Sequence, residues 1–223
     1  MLEMIRLSLG TLGEHVGDAG WALAVFACGF VFAFPVVRFE VSSLLAFPMW
    51  VMRIIRRHLK PETNPVGLFA FIFVFNSVAM FCYMMSGGLV FLPLVFGFLT
   101  GLNLGVISVK DTQRSVEKAA AGGGAAPPRA WVGLLGLFVI VVELSAFWLA
   151  IGMGIRLGHI MRADFSWTQF IEAAVPRARA YLVVLVPALA ASAAAEAAAI
   201  KGAMGRSPRS EEPSDSDTDE PRE

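Results

Sequence analysis

Charge is scarce in this chain, and that scarcity excludes more than any motif does. Only 16% of its 223 residues are Asp, Glu, Lys or Arg, whereas 57% are hydrophobic and the mean hydropathy is +0.67. A water-soluble fold of this length cannot hide so much apolar surface. Cysteine is almost absent. Cys28 and Cys82 both lie inside apolar runs without metal-ligand spacing, which excludes a disulfide framework and reads as two buried small hydrophobes. The three histidines, His15, His58 and His159, are scattered over connecting regions, and no HExxH, CxxC, P-loop, GxSxG or dinucleotide fingerprint is present. No catalytic, cofactor-binding or metal-binding residue can be assigned, no enzyme activity is expected, and nothing points to a nucleic-acid partner. The opening MLEMIRLSLGTLGEHVGDAG also lacks the continuous apolar stretch and small-residue cleavage site of a signal peptide, so membrane insertion falls to the first spanning helix.

What is present is a series of long apolar runs. A hydrocarbon core about 30 Å thick needs about 20 mostly apolar residues per helix. Five such runs occur, at about Gly20–Val37, Val66–Met85, Gly88–Val109, Ala130–Gly158 and Tyr181–Ile200. They predict an all-α, polytopic transmembrane bundle bathed in the lipid bilayer. Only Ser86-Gly87-Gly88 separates the second run from the third, which forces an antiparallel hairpin. The chain divides into an N-terminal segment, 1–64, with the first span; a four-helix core, 65–202; and a tail, 203–223.

The connections differ in character. VSSLLAFPMWVMRIIRRHLK is too short to cross, but Leu44, Leu45, Met49, Met52 and Ile55 recur at helical spacing. Arg53, Arg56, Arg57 and Lys60 stand ready for lipid phosphates, so the segment reads as an interfacial amphipathic helix. SVEKAAAGGGAAPPRA lacks helical periodicity and reads as a flexible loop. Ser166 is placed to cap a short amphipathic helix over WTQFIEAA, with Pro176 as its end. Beyond Arg206, EEPSDSDTDEPRE is too polar and acidic to offset the entropy of ordering and reads as a disordered tail.

Lys and Arg fall unevenly on the two sides of a five-span chain. Arg38, Arg53, Arg56, Arg57, Lys60, Lys110, Arg114, Lys118, Arg129, Lys201, Arg206 and Arg209 share one side, and Arg6, Arg156, Arg162, Arg177 and Arg179 the other. The richer side is expected in the cytoplasm, with the N-terminus outside and the acidic tail inside.

Inside the apolar runs stand Asn76, Asn103, Glu143 and Glu196, which hydrocarbon cannot satisfy. A carboxylate at a helix centre costs roughly 3 kcal/mol on insertion scales, so Glu143 is expected to face protein or water. Two readings fit: a convergent polar pathway, or an interhelical lock that orients the bundle. Small residues recur on single faces as well. Gly97, Gly101 and Gly105 lie four apart in the third span, Gly154 and Gly158 repeat the spacing in the fourth, and Ala188, Ser192 and Glu196 in the fifth. Close packing of these three helices is expected.

Taken together, FVFNSVAMF, FGFLTGLNLG, ELSAFWLAIGMGIRLG and ASAAAEAAAI resemble the stage II sporulation protein M family of bacterial and archaeal membrane proteins, over about Phe69 to Lys201. The resemblance places Asn76, Asn103, Glu143, Gly152, Gly158 and Glu196 on the family's characteristic positions. Two departures stand out: Leu104 separates Asn103 from Gly105 where the family usually has Gly directly, and Val139 replaces a His often found one turn before the Glu. The family's namesake is a scaffold for hydrolases within a membrane-anchored peptidoglycan-remodelling complex. The resemblance therefore implies a noncatalytic scaffold in a bacterial plasma membrane, partnered by membrane or cell-envelope proteins, with self-association as a further option. The rival reading is a transport component whose Glu143 and Glu196 line a path for protons or a small solute.

Overall fold

A computed structural model describes residues 2–58, 64–120, 130–163 and 166–204. Lys60, Arg129, the Gly/Ala/Pro-rich stretch at 121–129 and the acidic tail from 205 onward, each with a role expected above, lie outside the described residues. The described chain is helical. Its elements are α1 (Leu2–Glu14), α2 (Val16–Arg38), α3 (Ser42–His58), α4 (Pro65–Met85), α5 (Leu92–Ala120), α6 (Ala130–Ala163), α7 (Trp167–Ala180) and α8 (Val186–Met204), with a 3-10 turn at Ser86–Leu89 and a π-helical segment at Tyr181–Leu185.

Five of these helical stretches are long and apolar enough to cross a membrane. Their outer faces carry Phe32, Phe34, Phe75, Phe81, Leu137 and Ile140 in the open. In the span at Pro65–Leu89 only 11% of the apolar window is covered by other parts of the chain, so most of its surface requires hydrocarbon rather than water. Cys28 and Cys82 sit on this exposed surface, not in the interior as expected, because lipid accepts a small apolar side chain as readily as a protein core does.

Helix boundaries follow local chemistry. Asn64 caps α4, its side chain accepting from Val66 N at 3.0 Å, with Pro65 at the first helical position. α2 closes when Val41 N reaches back to Val36 O at 3.1 Å, which puts Glu40 at φ 50 and turns the chain into α3. Three boundaries depart from the sequence reading. The N-terminal segment forms a helix, α1, where none was expected. α5 continues through Ala120, because Glu117–Ala120 are good helix formers; the Thr112 and Ser115 hydroxyls turn back to carbonyls four residues earlier within the helix. Pro176 does not end α7, which continues to Ala180. The Ala173 carbonyl, three residues before the proline, instead takes a hydrogen bond from the Arg177 guanidinium, and the π-helical segment carries the chain on into α8.

α6 packs on most of the other helices and carries the buried run 150–155, with α2 against it on one side. α5 lies most extensively against α2, while α4 packs on α6 and α8, so the hairpin between α4 and α5 splays after its tight turn. Backbone meets backbone where glycine allows it. A side chain at Gly29 would strike the Phe98 carbonyl, and one at Gly101 the Phe26 carbonyl. The α5 glycines thus meet α2, rather than drawing together the third, fourth and fifth spans. Gly105 fits against Ala33 and Phe30, and Gly97 touches Val25 and Ile151. In α6, Gly152 fits against Ala19 of α2, Gly154 against Tyr83 and Met84, and Gly158 against Gly87 in the 3-10 turn and Val90 just after it. Around these contacts Phe26, Met84, Phe147, Ile151, Met153 and Leu189 form the main buried cluster.

Candidate functional site

α4, α6 and α8 bring three polar side chains to one point. Asn76 Nδ2 donates to Glu143 Oε1 at 2.9 Å, and Ser192 Oγ donates to the same oxygen at 3.2 Å. Each bond crosses between helices, and Ser192 is wholly buried. Glu143 therefore faces protein, as its insertion cost demands. Ser192, which spacing alone marked as a packing residue, is the third member of the cluster. A small side chain between alanines gives no sequence signal of such a role.

One turn beyond Ser192 on the same face of α8 stands Glu196. It lines a cavity of about 180 Å³ together with Glu143 and Asn76. The remaining wall is apolar and partly aromatic: Leu68, Ile72 and Phe75 from α4, and Trp50 and Val51 from α3, close around the carboxyl groups. Glu196 accepts no hydrogen bond and forms no ion pair with the described residues, whereas Glu143 is held by two donors. The two glutamates occupy one site but differ in what restrains them.

Asn103 is not part of this constellation. It lies on α5, half-buried, between Leu102, which packs into the α2–α5 contact, and the exposed Leu104, and makes no side-chain hydrogen bond among the described residues. Its position on a different helix pair separates it from Asn76, Glu143 and Glu196. Two further links stitch the bundle: the Tyr181 hydroxyl donates to the Ser77 carbonyl, joining the π segment to α4, and Tyr83 and Thr100 share a hydrogen bond of 3.1 Å between α4 and α5.

At the opposite end of the bundle lies a polar cluster that the sequence did not announce. His15, in the turn between α1 and α2, is 2% exposed, and its Nδ1 stands 3.8 Å from Asp18 Oδ2. Ser8 of α1 and Arg177 of α7 are buried with it, and Ser8 Oγ, both His15 ring nitrogens and Arg177 Nε lack hydrogen-bond partners among the described residues. Burial, and secondarily the charge of Arg177, holds the His15 imidazole below its ordinary value of 6.5. Arg177 is distant in the chain from the other three and joins them only because α1 packs on α7. Between the two polar regions the bundle interior is filled chiefly by Met84, Phe147, Ile151, Met153 and Leu189, with polar atoms among them: the Tyr181 hydroxyl on the Ser77 carbonyl, and buried Ser77 Oγ and Trp148 Nε1, which have no hydrogen-bond partner among the described residues. Among the described residues, no group of three or more His, Cys, Asp or Glu side chains could hold a metal ion.

Comparison with curated proteins and with solved structures finds no match. The sequence profile of stage II sporulation protein M, in contrast, matches residues 22–199. That range begins within α2, ends within α8, and takes in the α2–α5 glycine contact, the Asn76–Glu143–Ser192 cluster and Glu196. With most of its length and its whole polar centre inside the matched range, the chain belongs to the stage II sporulation protein M family.

Proposed function

We propose that the protein is a noncatalytic organiser of a membrane complex, placed in a bacterial plasma membrane and holding membrane or cell-envelope partners together. The carrying observation is the double hydrogen bond at Glu143 Oε1, which links α4, α6 and α8. A polar residue in this role fixes which helices meet and in what register. The surplus of Lys and Arg at the α2, α4, α5, α6 and α8 ends that share one side supports a cytoplasmic placement for that side, with α3 lying along its lipid interface.

Crosslinked pull-down from native membranes, with the full chain and Glu143→Gln side by side, tests the reading. Reproducible recovery of cell-wall enzymes or other membrane proteins, weakened by the substitution, is expected, together with no pH-dependent flux in liposomes. Recovery of nothing beyond the protein itself would overturn the organiser role, and flux abolished by Glu143→Gln would establish the transporter.

A further inference from the structure

We infer that the cavity between α3, α4, α6 and α8 receives a lysine side chain from an apolar helix of a membrane-embedded partner, with Glu196 as its counter-ion. The inference rests on the organiser reading and names the chemistry of the partner. Three features of the cavity converge on that occupant. Its volume, about 180 Å³, suits one long side chain rather than a whole helix or a lipid tail. Its walls are chiefly apolar, with Trp50, Phe71 and Phe75 placed to line a methylene stem. Its polar end holds two carboxyl groups in different conditions: Glu143 is engaged by Asn76 and Ser192, and Glu196 by no hydrogen bond or ion pair of the described residues.

Such a carboxyl group in an apolar wall is costly alone, and a cation that meets it offsets that cost. A neutral hydrogen-bond donor would satisfy Glu196 but leave the apolar stem of the cavity unfilled. A hydrated metal ion would meet apolar walls on nearly every side, where oxygen ligands are needed. An ammonium on an aliphatic stem matches both halves. Glu196 lies about 12 Å along α8 from Met204, at 1.5 Å per residue, which sets the depth of the partner's lysine relative to the same membrane face. Trp50 and Val51 belong to α3, so this helix forms the part of the cavity wall that the partner's stem would contact.

The test uses the full chain in liposomes and a synthetic apolar transmembrane peptide bearing one lysine about 12 Å from its end, compared with the same peptide carrying norleucine, which keeps the stem and removes the ammonium. Association is read by energy transfer between labels. The lysine peptide is expected to bind about tenfold more tightly than the norleucine peptide, the upper range for a polar contact between helices in a bilayer. Glu196→Gln removes that preference, while Glu143→Gln retains most of it. Equal binding of the two peptides, or a lysine preference that survives Glu196→Gln, overturns the inference. Unchanged thermal stability of Glu196→Gln separates loss of the counter-ion from loss of the fold. Equal peptide binding alongside intact recovery of partners from native membranes would sink the cavity assignment alone. Lysine-selective binding with no partner recovered would sink the organiser reading alone.

Discussion

Replacing Gly101 with alanine probes the contact on which the whole arrangement of α2 depends. A Cβ at this position would land on the Phe26 carbonyl oxygen, with the Phe26 carbonyl carbon at 2.9 Å and its Cα at 3.1 Å. These are backbone atoms of a neighbouring helix, so no rotamer change relieves the clash and the two helices must part. Overpacking of this kind costs about 1–3 kcal/mol, and a rigid backbone neighbour argues for the upper part of that range. Alanine also gains about 1 kcal/mol of helix propensity over glycine. The net expectation is a destabilisation of about 1–2 kcal/mol. Gly136→Ala is the matched control, because a Cβ there meets nothing within 4 Å and only the propensity gain applies. The difference between the two variants isolates the clash at about 2–3 kcal/mol. Reversible denaturation in mixed micelles, followed by circular dichroism, measures both. Equal shifts of the two variants in the same direction would refute the close approach of α2 and α5.

Other consequences are equally open to measurement. Glu143→Ala leaves the Asn76 amide and the Ser192 hydroxyl without their acceptor and is expected to cost about 1–3 kcal/mol, whereas Glu143→Gln retains an oxygen and costs less than about 1. A double-mutant cycle between Asn76→Ala and Glu143→Ala should return a coupling near 0.6 kcal/mol, up to about 1.7, and a coupling of zero would remove the bond from the argument. The His15 imidazole is held below 6.5 in the docked state, so the undocked state binds more protons. Docking of α1 on α7 is thus complete above that value and weakens as the pH falls below it. Distances between spin labels on α1 and α7 report the change, and His15→Gln should abolish its pH dependence. Glu40 holds φ 50, a conformation glycine adopts freely, so Glu40→Gly is expected to stabilise the α2–α3 turn by about 1 kcal/mol. A lower melting temperature for this variant would contradict that reading.

The membrane-spanning helices were legible in the sequence because a bilayer imposes one requirement on every residue of a span, and length with low charge suffices to meet it. That constraint identified the apolar stretches in α2, α4, α5, α6 and the last span, and it marked Asn76, Glu143 and Glu196 as groups needing partners. It could not name those partners. Which helices touch depends on interlocking surfaces far apart in the chain, and glycine spacing states only that some backbone comes close. Gly101 and Gly105 proved to meet α2 rather than the later spans, and Asn103 was carried away from the other polar residues with them. Ser192 acquired its role from the position of Glu143, and Arg177 met His15 because α1 and α7 pack together. Local and bilayer energetics, which act residue by residue, were written in the sequence; the pairing of helices, which acts between surfaces, was decided only by the tertiary structure.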